Sequence, residues 1–476
     1  MSKVHRQTKI IFTIGPATED EEVIAALIER QVDICRLNMA HANHAWTREI
    51  IDRIHKVCRE TGRQIAIMMD VKGPEIRTGV IGETLQLERG EPFDFFPDPD
   101  RVEELREESV RGVSVNYPGL AKDLKVGDTV LVDSGLIRMR VLDVRPERIR
   151  CEVRIPGPMG NRRHINLPGT KVNLPCLTMK DKEDILVGIE KGVDFYALSF
   201  VREPGDIDIM RRFVSDNGSK AGIIAKIEDQ TAIANLNDII KASDGLMVAR
   251  GDLGIEIPYE TLPVVQRRAV KSCLSMGKPV IVATHMLESM ITQPMPTRAE
   301  ITDVANAVSE QADCVMLSGE TTVGQYPLEC VEVLNRIALT MEAQQTQPYN
   351  TDLKLKTAKA LMLRSAVMLC DEIDGAGLVI FTRSGYGAQT VSALRPRNSP
   401  IFAFTDVPRI LRQMLIMRGV EPFLMDFEDD PEVTIINAID HIKRSGWTSA
   451  GKSLVILSNA LAGKRIIETL QVRTVE

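Results

Sequence analysis

Ten polar side chains stand at or just past the ends of short apolar runs: Arg36, Asn38, Asp70, Lys226, Glu228, Arg250, Asp252, Thr284, Ser318 and Glu320. Glu228 and Asp252 are carboxylates from consecutive runs, a pair suited to one Mg²⁺ that keeps waters and takes substrate oxygens as further ligands. Lys226 lies two residues before Glu228, so on a strand the ammonium and the carboxylate share a face. A cation beside such a metal is the arrangement that stabilises charge on the equatorial oxygens of a transferring phosphoryl group. Singly, each residue could equally be half of a structural ion pair; the joint pattern points to chemistry. Arg250-Gly251-Asp252-Leu253-Gly254 can open a helical turn whose glycines let backbone N–H groups approach an anion, with a plain tight turn as the alternative. Thr178-Met179-Lys180-Asp181 reads as a capping box that puts Lys180 in a helix first turn, against the dipole, which suits a phosphate better than stability. His44, His55 and His441 lie in helix-like polar stretches and are expected to be solvated. No H-E-x-x-H, Cys/His metal spacing, G-x-S-x-G or Walker sequence occurs, so those chemistries have no support.

The elements that must position these groups are eight apolar runs: Ile10–Ile14, Ile34–Leu37, Ile65–Met69, Phe195–Leu198, Ile223–Ala225, Leu246–Ala249, Val280–Ala283 and Val315–Leu317. Continuous apolar strands are buried on both faces, as in parallel sheets. Helix-like segments such as Glu21–Arg30, Trp46–Glu60 and Thr231–Lys241 separate most of them. Eight such units predict an α/β fold with a (β/α)8 TIM barrel, whose chemistry sits at the C-terminal strand ends; an open doubly wound sheet is the alternative. Residues 1–71 and 172–345 would form the barrel. The intervening residues 72–171 alternate in the β period (Thr129–Val132, Ile137–Val144, Arg148–Ile155) and contain one helix-like stretch, Asp98–Glu108. They read as an inserted β-barrel domain, a natural lid over the mouth or else a mere decoration. Gln345–Lys354 reads as a linker. Residues 346–476 then repeat a βα pattern, with strands at Leu378–Phe381, Ile401–Phe404, Pro422–Met425 and Leu454–Leu457.

Composition agrees with a globular multidomain chain: 476 residues, 44% hydrophobic and 26% charged, net charge −7. An acidic balance argues against a broad nucleic-acid face, and no apolar run is long enough to span a membrane. The start of the chain lacks the apolar stretch of a signal peptide. Eight cysteines without a C-x-x-C pair, mostly inside apolar runs, fit buried thiols in a reducing cytoplasm.

Taken together, the chain resembles the pyruvate kinase family over nearly its whole length. The resemblance is carried by Thr13-Ile14-Gly15-Pro16-Ala17, Arg36-Leu37-Asn38, Lys72-Gly73-Pro74-Glu75-Ile76-Arg77, Ala225-Lys226-Ile227-Glu228, Ala249-Arg250-Gly251-Asp252, Met286-Leu287-Glu288-Ser289-Met290, Pro296-Thr297-Arg298-Ala299-Glu300 and Leu317-Ser318-Gly319-Glu320-Thr321. It implies a catalytic barrel, a β-barrel lid and a C-terminal regulatory domain, and transfer of phosphate from phosphoenolpyruvate to ADP with pyruvate and ATP as products. On the matching positions it implies Lys226, Arg36 and Thr284 as catalytic groups. Arg36, Lys226, Gly251, Asp252 and Thr284 would bind the substrate. Glu228 and Asp252 would hold Mg²⁺ or Mn²⁺. Asn38, His41, Arg77 and Lys180 would lie near the nucleotide, and Asn38, Asp70 and the Val71 carbonyl would take K⁺. Thr382, Ser384, Gly385 and Tyr386 match the family's phosphate-gripping loop for a sugar-phosphate or nucleotide effector. A cytoplasmic homotetramer is implied, with no nucleic-acid or membrane partner.

Several positions depart from the family pattern. Ala40 removes a hydroxyl from the monovalent-cation site, His285 and Ser134 replace the usual glutamine and aspartate, and Gly387 replaces a hydroxyl residue of the effector loop. Glu75 carries the glutamate of the K⁺-requiring members. The segment Ser458–Lys464 reads as a short final loop. A catalytically weakened sensor of sugar phosphates and a Mg²⁺-dependent aldolase or lyase acting on enolates stay open as other readings; Arg77 and Lys180 speak against the second.

Overall fold

The computed structural model describes residues 5–344, 350, 352–397, 399–462 and 465–476. Eight parallel strands close into a barrel: β1 (Lys9–Thr13), β2 (Ile34–Asn38), β3 (Ala66–Val71), β4 (Phe195–Leu198), β5 (Gly222–Ile227), β6 (Gly245–Ala249), β7 (Val280–Ala283) and β8 (Cys314–Met316). Every one coincides with an apolar run of the sequence, and β1 pairs with β8 to complete the ring. The open-sheet alternative is thereby excluded. Asn38 faces Asp70 across β2 and β3, and Ala197 of β4 faces Asp70 on the other side. The polar residues that end these strands therefore meet at one mouth.

Outward side chains of the strands pack on the surrounding helices in one large core. Inward side chains, among them Ile11, Ile34, Met68, Ile224, Met247 and Met316, form a second core that continues into Leu363, Val367, Leu394 and Met414 of the C-terminal sheet-and-helix layer. The floor of the barrel is thus capped by the C-terminal part of the chain.

Between β3 and β4 lies a seven-stranded sheet running from Ile76–Arg77 to His164–Asn166. An isolated bridge between Thr78 and Val115 brings its two edges together, in keeping with the expected inserted β-barrel. The Asp98–Glu108 stretch is helical only at Val102–Leu105, preceded by a 3₁₀ turn at Pro99–Arg101; its charges have no apolar stripe to bury, so a longer helix gains nothing. The expected Thr231–Lys241 helix is broken into Gln230–Ala234 and Leu236–Ala242 at Asn235, which leaves helical geometry at φ −95° and ψ 10° and donates its side-chain amide to the Arg202 carbonyl at 2.8 Å.

The C-terminal sheet has five strands. Gly377–Phe381, Ile401–Thr405, Val420–Leu424 and Ser453–Ala462 are parallel, and the antiparallel Arg465–Thr474 was not expected. The reading of Ser458–Lys464 as a loop is corrected for Ser458–Ala462, which pairs residue for residue with Arg465–Thr469; residues 463 and 464 lie outside the described set, as does most of the linker reading at 345–354. Small and polar residues hide this strand because cross-strand pairing, not propensity, sets it. All eight cysteines are free and buried, and no helix of the described residues is long and apolar enough to cross a membrane.

Candidate active site

Lys226, near the end of β5, is the centre of the mouth. Its ammonium lies 2.6 Å from Ser199 Oγ, 3.2 Å from Asp70 Oδ1 and 2.8 Å from Glu228 Oε1. Burial alone would lower its pKa, but the carboxylates of Asp70 and Glu228 outweigh that and hold it above the ordinary lysine range. The second oxygen of Asp70 takes the Arg36 guanidinium at 2.7 Å, and Arg36 also donates to Thr13 Oγ1 at 3.1 Å. Burial pushes the Asp70 carboxyl up, yet Lys226 and Arg36 together keep it below the usual range. One buried carboxylate therefore fixes two cations side by side, Lys226 buried and Arg36 half-buried.

Glu228 continues the chain just past β5 and accepts from the Phe200 backbone N–H at 2.6 Å. Burial raises its pKa, Lys226 opposes, and the nearby Asp252 charge raises it again. A buried carboxylate facing a second carboxylate is a set of hard oxygen donors that a hard cation relieves, so the residues present fit a divalent ion. Among the described residues no cluster of three or more His, Cys, Asp or Glu converges. Asp252 sits in the first turn of the Arg250–Glu256 helix, the turn expected from the glycines. There Gly251 N–H donates to Thr284 Oγ1 at 2.7 Å, and Thr284 Oγ1 donates to the Ala283 carbonyl at 2.6 Å. Thr284 and His285 hold φ values of +68° and +56°, left-handed geometry that costs non-glycine residues energy and is held by the surroundings.

The remaining expected site residues divide. Asn38 lies at the mouth, its Oδ1 accepting from Ala40 N–H at 3.2 Å, and Val71 ends β3 beside Asp70. His41 is exposed at the end of the following turn. Arg77 stands on the inserted sheet, bound to Glu75 at 2.7 Å and to the Arg162 carbonyl at 2.8 Å. Glu75 also pairs with Lys72 at 3.0 Å. The capping box at Thr178 and Asp181 is present, and it sets Lys180 against Asp184 at 2.6 Å and the Met39 carbonyl at 2.9 Å. Three of the strand-end residues do structural work. Arg250 is buried and ties the Ala283 and Thr284 carbonyls to Asp303. Glu320 is buried and accepts from Leu287 and Ser318 N–H groups. Ser318 supplies one of those N–H donors. The histidines are corrected: His44 pairs with Asp184 at 2.8 Å, His55 is half-buried, and His441 packs edge-on to Phe404 and Phe423. A polar helix stretch does not reveal which of its residues meets a neighbouring element. Ser199, Thr13 and the Phe200 N–H were missed; Ser199 directly follows an apolar run, which was the available signal.

The family description "Pyruvate kinase, barrel domain" matches residues 5–331, and "Pyruvate kinase, alpha/beta domain" matches residues 361–472. The chain belongs to the pyruvate kinase family. It is 40% identical over 460 residues to plastidial pyruvate kinase 2 of Arabidopsis thaliana, covering 96% of this chain and 78% of that protein. It is 38% identical over 467 residues to a pyruvate kinase of Staphylococcus epidermidis, covering 97% and 79%. A crystal structure of a pyruvate kinase from Cryptosporidium parvum superposes with a TM-score of 0.92 at 33% identity, over 99% of this chain and 96% of that one. The chain is accordingly a phosphotransferase, and nothing in these comparisons favours the aldolase or weakened-sensor readings. The residues that resemble the pyruvate kinase effector loop are brought together: Gly385, at φ +80°, caps the Tyr386–Leu394 helix, its N–H donates to Thr382 Oγ1 at 2.9 Å, and Tyr386 N–H reaches Ser384 Oγ at 3.4 Å.

Proposed function

We propose that this chain transfers the phosphoryl group of phosphoenolpyruvate to ADP, giving pyruvate and ATP, at the mouth formed by β1 to β8. The observation that carries the site assignment is Asp70 holding Lys226 and Arg36 on its two oxygens. Two cations preset at one spot bind the phosphate and stabilise the charge that grows on the transferring group, without reorganisation during the reaction. The backbone around Gly251 and Asp252, with the Thr284 hydroxyl released from the Ala283 carbonyl, binds the carboxylate of the substrate, and Thr284 Oγ forms part of the path by which a proton reaches the enolate. Glu228 and Asp252 would hold Mg²⁺ or Mn²⁺, which when bound supplies charge neutralisation between substrate oxygens. Arg77 and Lys180, with Asn38 and His41, lie around the nucleotide. Positioning and electrostatics supply most of the rate.

Asn38, Asp70 and the Val71 carbonyl are the ligands of a K⁺ ion in this reading. The turn at Thr382, Ser384, Gly385 and Tyr386 takes the phosphate of a sugar-phosphate or nucleotide effector, an anion nest in front of a helix N-terminus. The working form is a homotetramer in the cytoplasm, whose two-fold interfaces let effector binding bias all active sites. The test is a coupled assay for pyruvate from phosphoenolpyruvate with ADP, Mg²⁺ and K⁺. Turnover strictly dependent on ADP and the divalent ion is expected. Folded protein without turnover at saturating substrates would refute the reading.

A further inference from the structure

The short helix Arg250–Glu256 carries Gly251 and Asp252 at one end, and its other end meets the inserted sheet. Asn166, the last residue of the strand by which the chain leaves that sheet, donates its Nδ2 to Glu256 Oε1 at 2.8 Å. Both side chains are more than nine-tenths buried, at 5% and 8% exposure. A Cβ on Gly135, in the turn between two strands of the same sheet, would lie 3.4 Å from Ile255 Cγ2. From the barrel side Gln230, two residues past Glu228, donates its amide to the Glu256 carbonyl at 2.5 Å. Glu256 follows Asp252 by four residues, so the two lie above one another on one helix face.

This placement is costly by ordinary rules. A carboxylate at a helix C-terminus opposes the dipole, and burial pushes the Glu256 carboxyl up to about 7 despite the amide of Asn166. The Asn166 Oδ1 is buried without a hydrogen-bond partner among the described residues. It lines a cavity of about 80 Å³ with Glu256, Gln230, Glu228 and His164, between the sheet and the barrel. An apolar pair would pack this seam more cheaply. A polar contact that joins the inserted sheet to the helix bearing a substrate-binding N–H and a metal ligand has a use beyond packing.

We propose that Asn166 and Glu256 are positioning residues that transmit the placement of the inserted sheet to Gly251 and Asp252, so that the metal and substrate-carboxylate subsites reach their working geometry only when this contact is made. The proposal rests on the assignment of Asp252 to the divalent ion. Because the contact is an amide on a carboxylate, it can be rebuilt with its ends exchanged.

Three variants test it, with Mn²⁺ alone as the binding probe, read from its paramagnetic signal. Asn166→Ala changes no charge and lies on the other side of the seam from the metal ligands. It is expected to weaken Mn²⁺ binding several-fold and to lower kcat about tenfold. Asn166→Asp sets two carboxylates against each other and is expected to lose at least as much kcat. The exchanged pair, Asn166→Asp with Glu256→Gln, is expected to recover kcat to within about threefold of the parent. A structural seam alone would leave Mn²⁺ affinity untouched. Unchanged Mn²⁺ binding in Asn166→Ala, or an exchanged pair no better than Asn166→Asp, overturns the inference. Should Asn166→Ala fail to fold, the exchanged pair still decides. A parent without phosphoryl transfer would instead refute the proposed function and leave the Mn²⁺ comparison standing.

Discussion

At the scale of single residues, the site is dominated by one carboxylate that orders two cations. Lys226→Met removes a preorganised charge worth ~3–4 kcal/mol to a transition state, so kcat should fall by roughly 10²–10³-fold while Mn²⁺ binding and the fold persist. Steady-state kinetics check this, and retention of more than about a tenth of kcat excludes the role given to Lys226. Potassium is a second residue-scale question. Ala40 supplies only its N–H, and that N–H occupies Asn38 Oδ1. A serine hydroxyl there would add an oxygen that water otherwise provides. Activity should rise with KCl against a tetramethylammonium control at constant ionic strength. Ala40→Ser should lower the K⁺ concentration for half activation by up to about fivefold, the equivalent of about 1 kcal/mol for one fixed polar contact. Full activity without any monovalent metal ion would contradict the first expectation, and an unaltered K⁺ response in Ala40→Ser the second.

At the scale of elements, the capping box of the Met179–Lys191 helix links stability to the nucleotide side of the site. Thr178 Oγ1 accepts from Asp181 N–H, while Asp181 accepts from Thr178 N–H and also from Gly73 N–H at the start of the inserted segment. Thr178→Ala should cost about 1 kcal/mol, read as a lower urea midpoint, and should raise the KM for ADP more than it lowers kcat, because Lys180 sits in the turn that frays. A variant with an unchanged ADP dependence would detach Lys180 from the nucleotide. The eight barrel strands were legible in the amino-acid sequence because burial on both faces leaves continuous apolar runs, and the charged residues that interrupt them mark the mouth. Elements set by distant partners were not legible. The Arg465–Thr474 strand exists because Ser453–Ala462 offers it a ladder, and the break at Asn235 coincides with a side-chain contact to the distant Arg202 carbonyl. Likewise Lys226, Glu228 and Asp252 could be named from spacing, whereas Ser199, Thr13 and the Phe200 N–H enter the site only through tertiary closure. Arg250, Glu320 and Ser318 show the converse: a charged or polar residue at a strand end can brace the loops instead of facing substrate.

At the scale of the whole molecule, the barrel floor and the C-terminal layer are joined by buried charge as well as by apolar packing. Asp194, just before β4, accepts from Ile67 N–H at 2.9 Å and from Arg412 Nε at 2.8 Å. Burial outweighs the Arg412 charge and lifts the Asp194 carboxyl to about 6. Because this folded-state value lies above that of the unfolded chain, the ionised form is a cost to folding above pH 6, and the cost disappears as pH falls toward 4. Over that window the parent should gain stability relative to Asp194→Asn, by on the order of 3 kcal/mol at most. Urea unfolding at pH 7.5, 6 and 4.5 would check the sign; a gap between the two proteins that is flat with pH would contradict it. The same floor joins residues 7–9 to residues more than 300 positions further along the chain. Lys9 of β1 pairs with Asp33 and donates to the Val420 carbonyl at 2.7 Å, while Arg418 reaches Thr8 Oγ1 and Glu342 receives the Gln7 and Thr8 N–H groups at 2.8 and 2.7 Å. During synthesis, the first barrel strand therefore emerges from the ribosome more than 400 residues ahead of the carbonyl that completes its lysine's coordination. At 5–20 residues per second this is a wait of roughly 20–80 s. For that interval the inward-facing side chains of the nascent barrel lack the C-terminal residues that cover them, and transiently exposed apolar surface of this kind makes a growing chain prone to association.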